Sequence, residues 1–331
     1  MKPIRKHHVI VLGALVSATG FAHDAPPRLG NWGDPQPVVA INTPAAEGCP
    51  IESGDGRSLY FASSRAAPGA QGKLDLYRAR RDGRRGPHDA GWGEAENLGA
   101  PVNTPEFDYC PTPLAGGWLM YVSSQQTDDD CYPGAVPPPP PPGGPSAGDI
   151  YITKETRWWG WLPPLNLGCN ADGPNTAGAE FSPSLVSTRE GAFLYFSSNG
   201  YPDSMGQDIY VSQLRRDGSF GPGTRVTELS TAADDRMPNV RRDGLEIVFS
   251  SNRASADPFN QDIYVATRPD TGSPWSLPKR IDNPQINTAA SETRASLSGD
   301  GQRLYFGRKL DINDPGDVFF SKRVMFAGHV R

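Results

Sequence analysis

The sequence predicts an all-β fold, a single-domain five-bladed β-propeller, from three observations: a phrase repeated five times, a common order of strands after each copy, and complementary chain ends. The phrase is Asn-Thr, once Ser-Thr, then three variable residues and an acid. Its copies lie about 55 to 70 residues apart, in or above the range typical of propellers and solenoids. They begin at Asn42, Asn103, Asn175, Ser230 and Asn287 and end on Glu47, Asp108, Glu180, Asp235 and Glu292.

Each copy leads into the same predicted series of strands. A first strand starts at the acid and reaches a turn such as Asp243-Gly244, where the glycine supplies the positive φ of a tight hairpin. A second strand of leucine and aromatic residues follows, as in Leu59-Tyr60-Phe61, and such short runs suit buried strands. The third strand opens with an aspartate in every unit, at Asp75, Asp149, Asp208, Asp262 and Asp317. A fourth segment usually carries an aromatic residue and a proline. Four antiparallel strands per unit make a propeller blade.

The two ends of the chain carry complementary parts of one blade. The fifth unit stops after three strands, whereas residues 32–41 form an orphan fourth-strand segment before the first unit. We therefore expect residues 32–41 to complete the last blade, because this pairing removes exposed strand edges. The expected blades are approximately 47–98, 108–167, 180–229, 235–281, and 292–323 with 32–41.

The first 22 residues are predicted to be a secretory signal. Lys2, Arg5 and Lys6 precede a short apolar stretch, and cleavage is expected after Ala22, leaving residues 23–331 as the propeller domain. Loss of these three cations changes the formal net charge from -5 to -8 (-5 minus 3). An acidic protein of this kind is a poor candidate for binding nucleic acid. No later segment is apolar enough to cross a membrane as a helix.

The repeated motifs resemble those of the TolB-type, WD40-like β-propeller repeat family. The resemblance lies in the acid-x-x-Pro pattern, in Leu-Tyr-Phe-Ser-Ser-Asn around residues 194–199 and in Asp-Ile-Tyr at 208–210, and it covers about residues 32–323. It implies a propeller that serves as a binding platform in the periplasm or cell envelope. Other members of the family cap a hydrolase domain.

The five acids that end the repeated phrase, here called the ring acids, are predicted to surround one mouth of the central channel. They are Glu47, Asp108, Glu180, Asp235 and Glu292. One interpretation is a cation site or a docking ring for a basic partner, since oxygen ligands suit Ca²⁺. The other is structural: each acid pairs with a nearby arginine (Arg65, Arg253 or Arg308) or caps backbone amides. Gln125 and Asn199 replace that arginine in blades two and three.

Blade two interrupts the repeat with a long loop. It contains Asp128-Asp129-Asp130 and a run of six prolines at 137–142, predicted to be an extended arm on the same face as the ring acids. The aspartates lack the ligand spacing of a true calcium loop, so they would bind Ca²⁺ only weakly. No other cofactor is predicted.

Four cysteines in an exported chain allow two disulfides and three pairings. The preferred pairing is Cys49–Cys110 with Cys131–Cys169, and free buried thiols are the alternative.

Catalytic signatures are missing from the sequence: there is no Gly-x-Ser-x-Gly, no His-x-x-x-His and no phosphate-binding glycine loop. No catalytic residue is predicted. The leading hypothesis is an exported, monomeric, non-enzymatic scaffold, periplasmic or extracellular, that binds a protein or an envelope polymer on the ring-acid face. The alternatives are a glycoside hydrolase that uses channel-mouth carboxylates and a lectin-like sugar binder.

Overall fold

The computed structural model describes residues 30–81, 91–125, 131 and 148–323, which form a ring of β-sheets. The strands of the first two blades are β2 (Glu47–Glu52), β3 (Ser58–Ser63), β4 (Asp75–Arg81), β5 (Trp92–Asn97), β6 (Asp108–Pro113), β7 (Trp118–Ser123), β8 (Asp149–Thr156), β9 (Gly160–Trp161) and β10 (Leu165–Asn166). The next two blades contain β11 (Glu180–Thr188), β12 (Gly191–Ser198), β13 (Asp208–Gln213), β14 (Thr224–Arg225), β15 (Asp235–Val240), β16 (Glu246–Ser251), β17 (Asp262–Thr267) and β18 (Lys279–Arg280). The last blade contains β19 (Ser291–Leu297), β20 (Arg303–Lys309), β21 (Asp317–Lys322) and β1 (Gln36–Pro37). Two 3₁₀ turns, Ala115–Gly117 and Asn170–Asp172, complete the regular elements of the described residues.

The strands form five antiparallel sheets: four are built from consecutive strands of one repeat, and the fifth combines β19, β20 and β21 with β1. The first strands of neighbouring blades (β2, β6, β11, β15 and β19) contact one another around the whole ring and line its centre. The all-β, five-bladed propeller predicted from the repeats is therefore confirmed.

The chain ends close the ring as expected. Strand β1 pairs with β21, with Gln36 opposite Phe320 and Pro37 opposite Phe319. The Val38 amide continues the contact by donating to the Val318 carbonyl at 2.9 Å. Because β21 would otherwise be an open edge, this pairing satisfies its backbone groups and joins the first described segment to the last.

The core repeats from blade to blade. Aromatic residues of the second and third strands stack inside each blade, for example Phe249 on Tyr264 with ring centroids 5.9 Å apart. The fourth-strand aromatics pack inward beneath an arginine: Trp92, Trp275 and Trp32 lie under Arg81, Arg268 and Arg323, at 4.0, 4.2 and 4.1 Å from the ring centroid. Trp32 thus occupies the position expected of a fourth-strand residue of the last blade.

The fourth strands are shorter than the expected segments. Four of them comprise two-residue pieces, such as β14 and β18. Prolines at 163–164, 222 and 278 interrupt these segments, and a proline has no N–H to donate to the neighbouring strand.

A bulge recurs in every first strand, two residues after the ring acid. Here a non-glycine residue has a φ near +50° and the strand register shifts. The left-handed region is uncommon for such residues, so five repeats of it mark a constraint of the fold. The five residues, here called the channel residues, are Cys49, Cys110, Ser182, Met237 and Arg294.

Candidate functional site

The repeated phrase forms a loop that holds the ring acid in place. In each blade the threonine backbone N–H and hydroxyl both donate to the carboxylate four residues later. The pairs are Thr43 with Glu47, Thr104 with Asp108, Thr176 with Glu180, Thr231 with Asp235 and Thr288 with Glu292. All five ring acids are buried. The spacing of the phrase is therefore explained by this local contact.

The first residue of the phrase joins neighbouring blades. Its side chain bonds both the N–H and the carbonyl of one residue in the third strand of the preceding blade. The pairs are Asn42 with Val318, Asn103 with Leu76, Asn175 with Ile150, Ser230 with Ile209 and Asn287 with Ile263. These contacts bring each ring acid close to the aspartate that opens that third strand, on one side of the disc that we call the acid face.

Three ring acids have the arginine partner that the structural interpretation predicts. Arg65 pairs with Glu47 at 3.0 Å and Arg308 with Glu292 at 2.8 Å, and Arg253 pairs with Asp235 in the same way. In each case the ion pair adds to the threonine contacts, so these carboxylates are held in a charge-compensated pocket.

Asp108 and Glu180 differ from the other three. Among the described residues neither has an ion-pair partner. Gln125 occupies the arginine position in blade two, but in blade three that position is Gly200 and not Asn199 as expected, because the Gly200 N–H donates to Ser198 as the Arg253 N–H donates to Ser251. Asn199 is the equivalent of Asn252, and each accepts from the backbone N–H that precedes the ring acid. Glu180 accepts from Ser198 at 2.6 Å. Oδ1 of Asp108 has no hydrogen-bond partner in the described part of the chain.

The aspartates of the third strands show the same division. Arg225 pairs with Asp208 at 2.9 Å and Arg280 with Asp262 at 2.7 Å. At the equivalent positions Asn97 donates to Asp75 at 3.0 Å and Asn166 donates to Asp149 at 2.7 Å. Neutral amides therefore replace arginines on the side of the ring that holds Asp108 and Glu180.

Burial without a cation changes the protonation of these two groups. It raises the pKa of Asp108 to about 6, and the charge of Asp75 adds to the increase. Burial raises the pKa of Glu180 well above its usual range, with a contribution from Asp149. Burial also raises the pKa of Glu292, but there Arg308 opposes the increase. Two carboxyls with different and raised pKa values are a pattern that acid–base catalysis uses.

Both predicted disulfides are present. Cys49–Cys110 joins the first strands of blades one and two, and Cys131–Cys169 ties the long loop of blade two to the end of its fourth strand. The Cys131 N–H also donates to Asp149 at 3.3 Å. Although Cys131, Asp149 and Cys169 lie close together, the two sulfurs are bonded to each other and are not thiolate ligands, so this cluster is not a metal site.

Several predictions concern residues outside the described part. They are the signal segment 1–22, the aspartates 128–130 and the proline run 137–142. In the described residues no helix is long and apolar enough to cross a membrane.

Two features were missed by sequence reasoning. Trp158 and Trp159 are 80% and 82% exposed at the β8–β9 turn. Since β8 starts on the acid face and extends eight residues, this turn lies on the opposite face.

Arg294 is the second feature: it is fully buried in the channel. The bulge position two residues after the acid was the available signal for Arg294.

Comparisons with known proteins identify the fold. No family model and no curated protein matches the chain. Among solved structures, it is similar to the catalytic domain of the Coprinopsis cinerea GH62 α-L-arabinofuranosidase, at 13% identity and a TM-score of 0.55, covering 90% of this chain and 98% of that one. It is similar to the α-L-arabinofuranosidase of Lactobacillus brevis, at 12% identity and 0.55, covering 88% and 95%. A thermostable family-43 glycoside hydrolase matches at 13% identity and 0.51, covering 86% and 91%.

These comparisons correct the leading hypothesis. The expected non-enzymatic scaffold is the wrong interpretation, because the similar structures are glycoside hydrolases and favour the glycoside-hydrolase alternative. The sequence showed that the arginine is missing in blades two and three, but it showed no division of labour among the five ring acids. The structure separates Asp108 and Glu180 from the others by charge compensation.

Proposed function

We propose that the protein is a glycoside hydrolase whose carboxyl pair is Asp108 and Glu180. The observation that carries the proposal is that these two acids, in adjacent blades of the ring, lack the arginine of the other three and have raised pKa values. The fold shared with glycoside hydrolases supports it.

The two pKa values assign the roles. Glycoside hydrolysis uses one protonated carboxyl as the acid and one carboxylate as base or nucleophile. Burial raises the pKa of Glu180 well above its usual range, which suits the acid, whereas Asp108, with a pKa of about 6, suits the base or nucleophile. Glu180 therefore donates its proton to the glycosidic oxygen as the bond to the leaving sugar breaks. Asp108 either removes a proton from the attacking water or itself attacks the anomeric carbon, and the anomeric configuration of the product distinguishes these routes.

Access to the pair is part of the proposal. Both carboxyls are buried beneath the loops that carry Thr104 and Thr176. Substrate must displace these loops to reach the acids. The contacts that it displaces are hydrogen bonds from threonine, which are weaker than the arginine ion pairs that hold the other ring acids.

The substrate class follows from the similar structures, which are arabinofuranosidases by name. We propose an arabinose-containing or related envelope polysaccharide. The disulfides fit an oxidising compartment, and we place the enzyme in the periplasm or outside the cell. The relationship to TolB-type repeats stays a prediction.

The test is hydrolysis by the purified mature protein of arabinan, arabinoxylan, aryl arabinofuranosides and bacterial envelope glycans. Asp108→Asn and Glu180→Gln are expected to lower kcat by about 100-fold or more. Asp235→Asn, a change at an arginine-paired ring acid, serves as the matched control and is expected to stay within a few-fold of wild type if its melting temperature shows that it is folded. Absence of turnover on the whole panel, or turnover unaffected by Asp108→Asn, contradicts the proposal. Binding of sugar without turnover supports the lectin-like alternative instead.

A further inference from the structure

A lone buried cation lies in the central channel. Arg294 is one of the channel residues, at the bulge of β19, and its side chain has an exposed fraction of 0%. Half-buried arginines of the acid face, such as Arg253, have a carboxylate partner. Arg294 has no ion pair among the described residues.

The guanidinium of Arg294 extends from blade five across the channel. Its Nη2 donates to the Pro111 carbonyl at 3.4 Å and to the Thr112 hydroxyl at 3.3 Å in blade two. Its Nη1 donates to the Pro238 carbonyl at 3.4 Å in blade four. These acceptors are neutral and the contacts are long, while Nε has no hydrogen-bond partner in the described residues.

The charge persists at neutral pH. Burial is the sole cause that lowers the pKa of Arg294, to about 9, and no neighbouring charge contributes. The group thus stays protonated at pH 7. A buried charge without a counter-charge costs several kcal/mol of desolvation, which a nearby anion offsets.

The other channel residues leave one more donor without a partner. Cys49 and Cys110 are bonded to each other, and Met237 is apolar. The Ser182 hydroxyl is fully buried and has no hydrogen-bond partner in the described chain. The described part of the channel therefore offers an unpaired guanidinium N–H and an unpaired hydroxyl, and none of the described residues gives Arg294 a negatively charged acceptor.

We propose that the central channel binds one small inorganic anion of chloride size, held by the Arg294 guanidinium with the Ser182 hydroxyl as a second donor. The ion must be small because the guanidinium is fully buried and already contacts the first strands of blades two and four. The anion neutralises Arg294 and stabilises the bulges of several blades at once. This structural site does not depend on the proposed hydrolase activity.

The first experiment locates the ion directly. Crystals of the mature protein grown in sodium bromide are expected to show an anomalous peak within hydrogen-bond distance of Arg294 Nε, and crystals of Arg294→Met are expected to lack it. A wild-type map without a peak in the channel overturns the proposal.

The second experiment measures the site in solution at constant ionic strength, with chloride exchanged for the bulky anion gluconate. Above the dissociation constant, each tenfold rise in chloride is expected to lower the unfolding equilibrium constant up to tenfold. Arg294→Met should lose this dependence and, having no buried charge, should remain folded in gluconate. The control Arg65→Met, which removes a carboxylate-paired arginine, should lower stability but retain the dependence. Equal stability of wild type in chloride and gluconate, or a dependence that survives Arg294→Met, overturns the proposal.

Discussion

Ser198 donates a hydrogen bond of 2.6 Å to Glu180, and no cation accompanies this contact among the described residues. One blade later, the equivalent serine, Ser251, donates to Asp235, and Arg253 completes that site. Two nearly identical loops therefore hold carboxyls in different electrostatic states. The difference comes from a single residue two positions after that serine, Gly200 in one blade and Arg253 in the next.

Restoring the missing arginine should return Asp108 to the state of the other ring acids. In Gln125→Arg we expect the pKa of Asp108 to fall below its value of about 6, because a neighbouring guanidinium favours the carboxylate. Carbon-13 NMR titration of the Asp108 carboxyl measures the change. Gln302→Arg adds the same charge far from the acid face and should leave the Asp108 titration unchanged. An Asp108 pKa that is equal in both variants would show that burial alone sets it.

Asp108 should also make stability depend on pH. Because the folded carboxyl holds its proton more tightly than the unfolded one, its contribution to the free energy of unfolding is fully present below pH 3.8 and is lost as the pH rises through about 6. The loss is at most about 3 kcal/mol for a shift of this size. Denaturant titrations from pH 3.5 to 7.5 on wild type and Asp108→Asn isolate the effect as their difference. A difference that is constant with pH would refute it.

The ring closure predicts a large cost for losing Trp32. This side chain is buried beneath Arg323 and forms the bridge between the first described segment and the end of the last blade. Trp32→Ala should lower the free energy of unfolding by about 3 to 5 kcal/mol. Val39, 67% exposed in the same segment, provides the control, since Val39→Ala should cost less than about 0.5 kcal/mol. Chemical denaturation measures both, and similar values for the two variants would contradict the packing role of Trp32.

The disulfide between Cys49 and Cys110 should stabilise the ring at its centre. It joins first strands of neighbouring blades across 61 residues of sequence. Replacing both cysteines with alanine is expected to lower the free energy of unfolding by about 2 to 4 kcal/mol, chiefly by freeing the unfolded chain. Thermal unfolding with and without reductant tests this. Reduction should lower the stability of wild type by breaking both disulfides, whereas in the double variant it can break only Cys131–Cys169 and should have a smaller effect. A double variant as stable as oxidised wild type would show that the bond adds nothing.

Much of the fold was predictable because propeller blades repeat their local chemistry. The Asn-Thr phrase, the Leu-aromatic second strand and the Asp that opens the third strand recur in the same order in every unit, and this order indicated the number of blades and the closure by residues 32–41. The main error of the prediction concerned the length of the fourth strands. They are shorter than expected because the prolines in these segments have no backbone N–H to donate to the neighbouring strand.

The candidate site was only partly predictable. The ring acids and the replacement of arginine in blades two and three were visible in the sequence, although the residue at that position in blade three is Gly200 and not the expected Asn199. The equivalence of Asn97 and Asn166 to Arg225 and Arg280 was not recognised. These residues contact the third-strand aspartate of one blade, which lies close to the ring acid of the next blade. Comparing the sequences of the repeats does not show which residues of neighbouring blades lie close together.

By itself, the sequence determined the five-bladed ring, its closure and the preferred disulfide pairing, because each follows from periodic local patterns and from pairing of complementary ends. The tertiary structure alone decided which carboxyls lack a counter-charge and that Arg294 lies unpaired in the channel. The physical reason is that protonation and charge cost depend on burial and on neighbours from other blades, which only folding brings together.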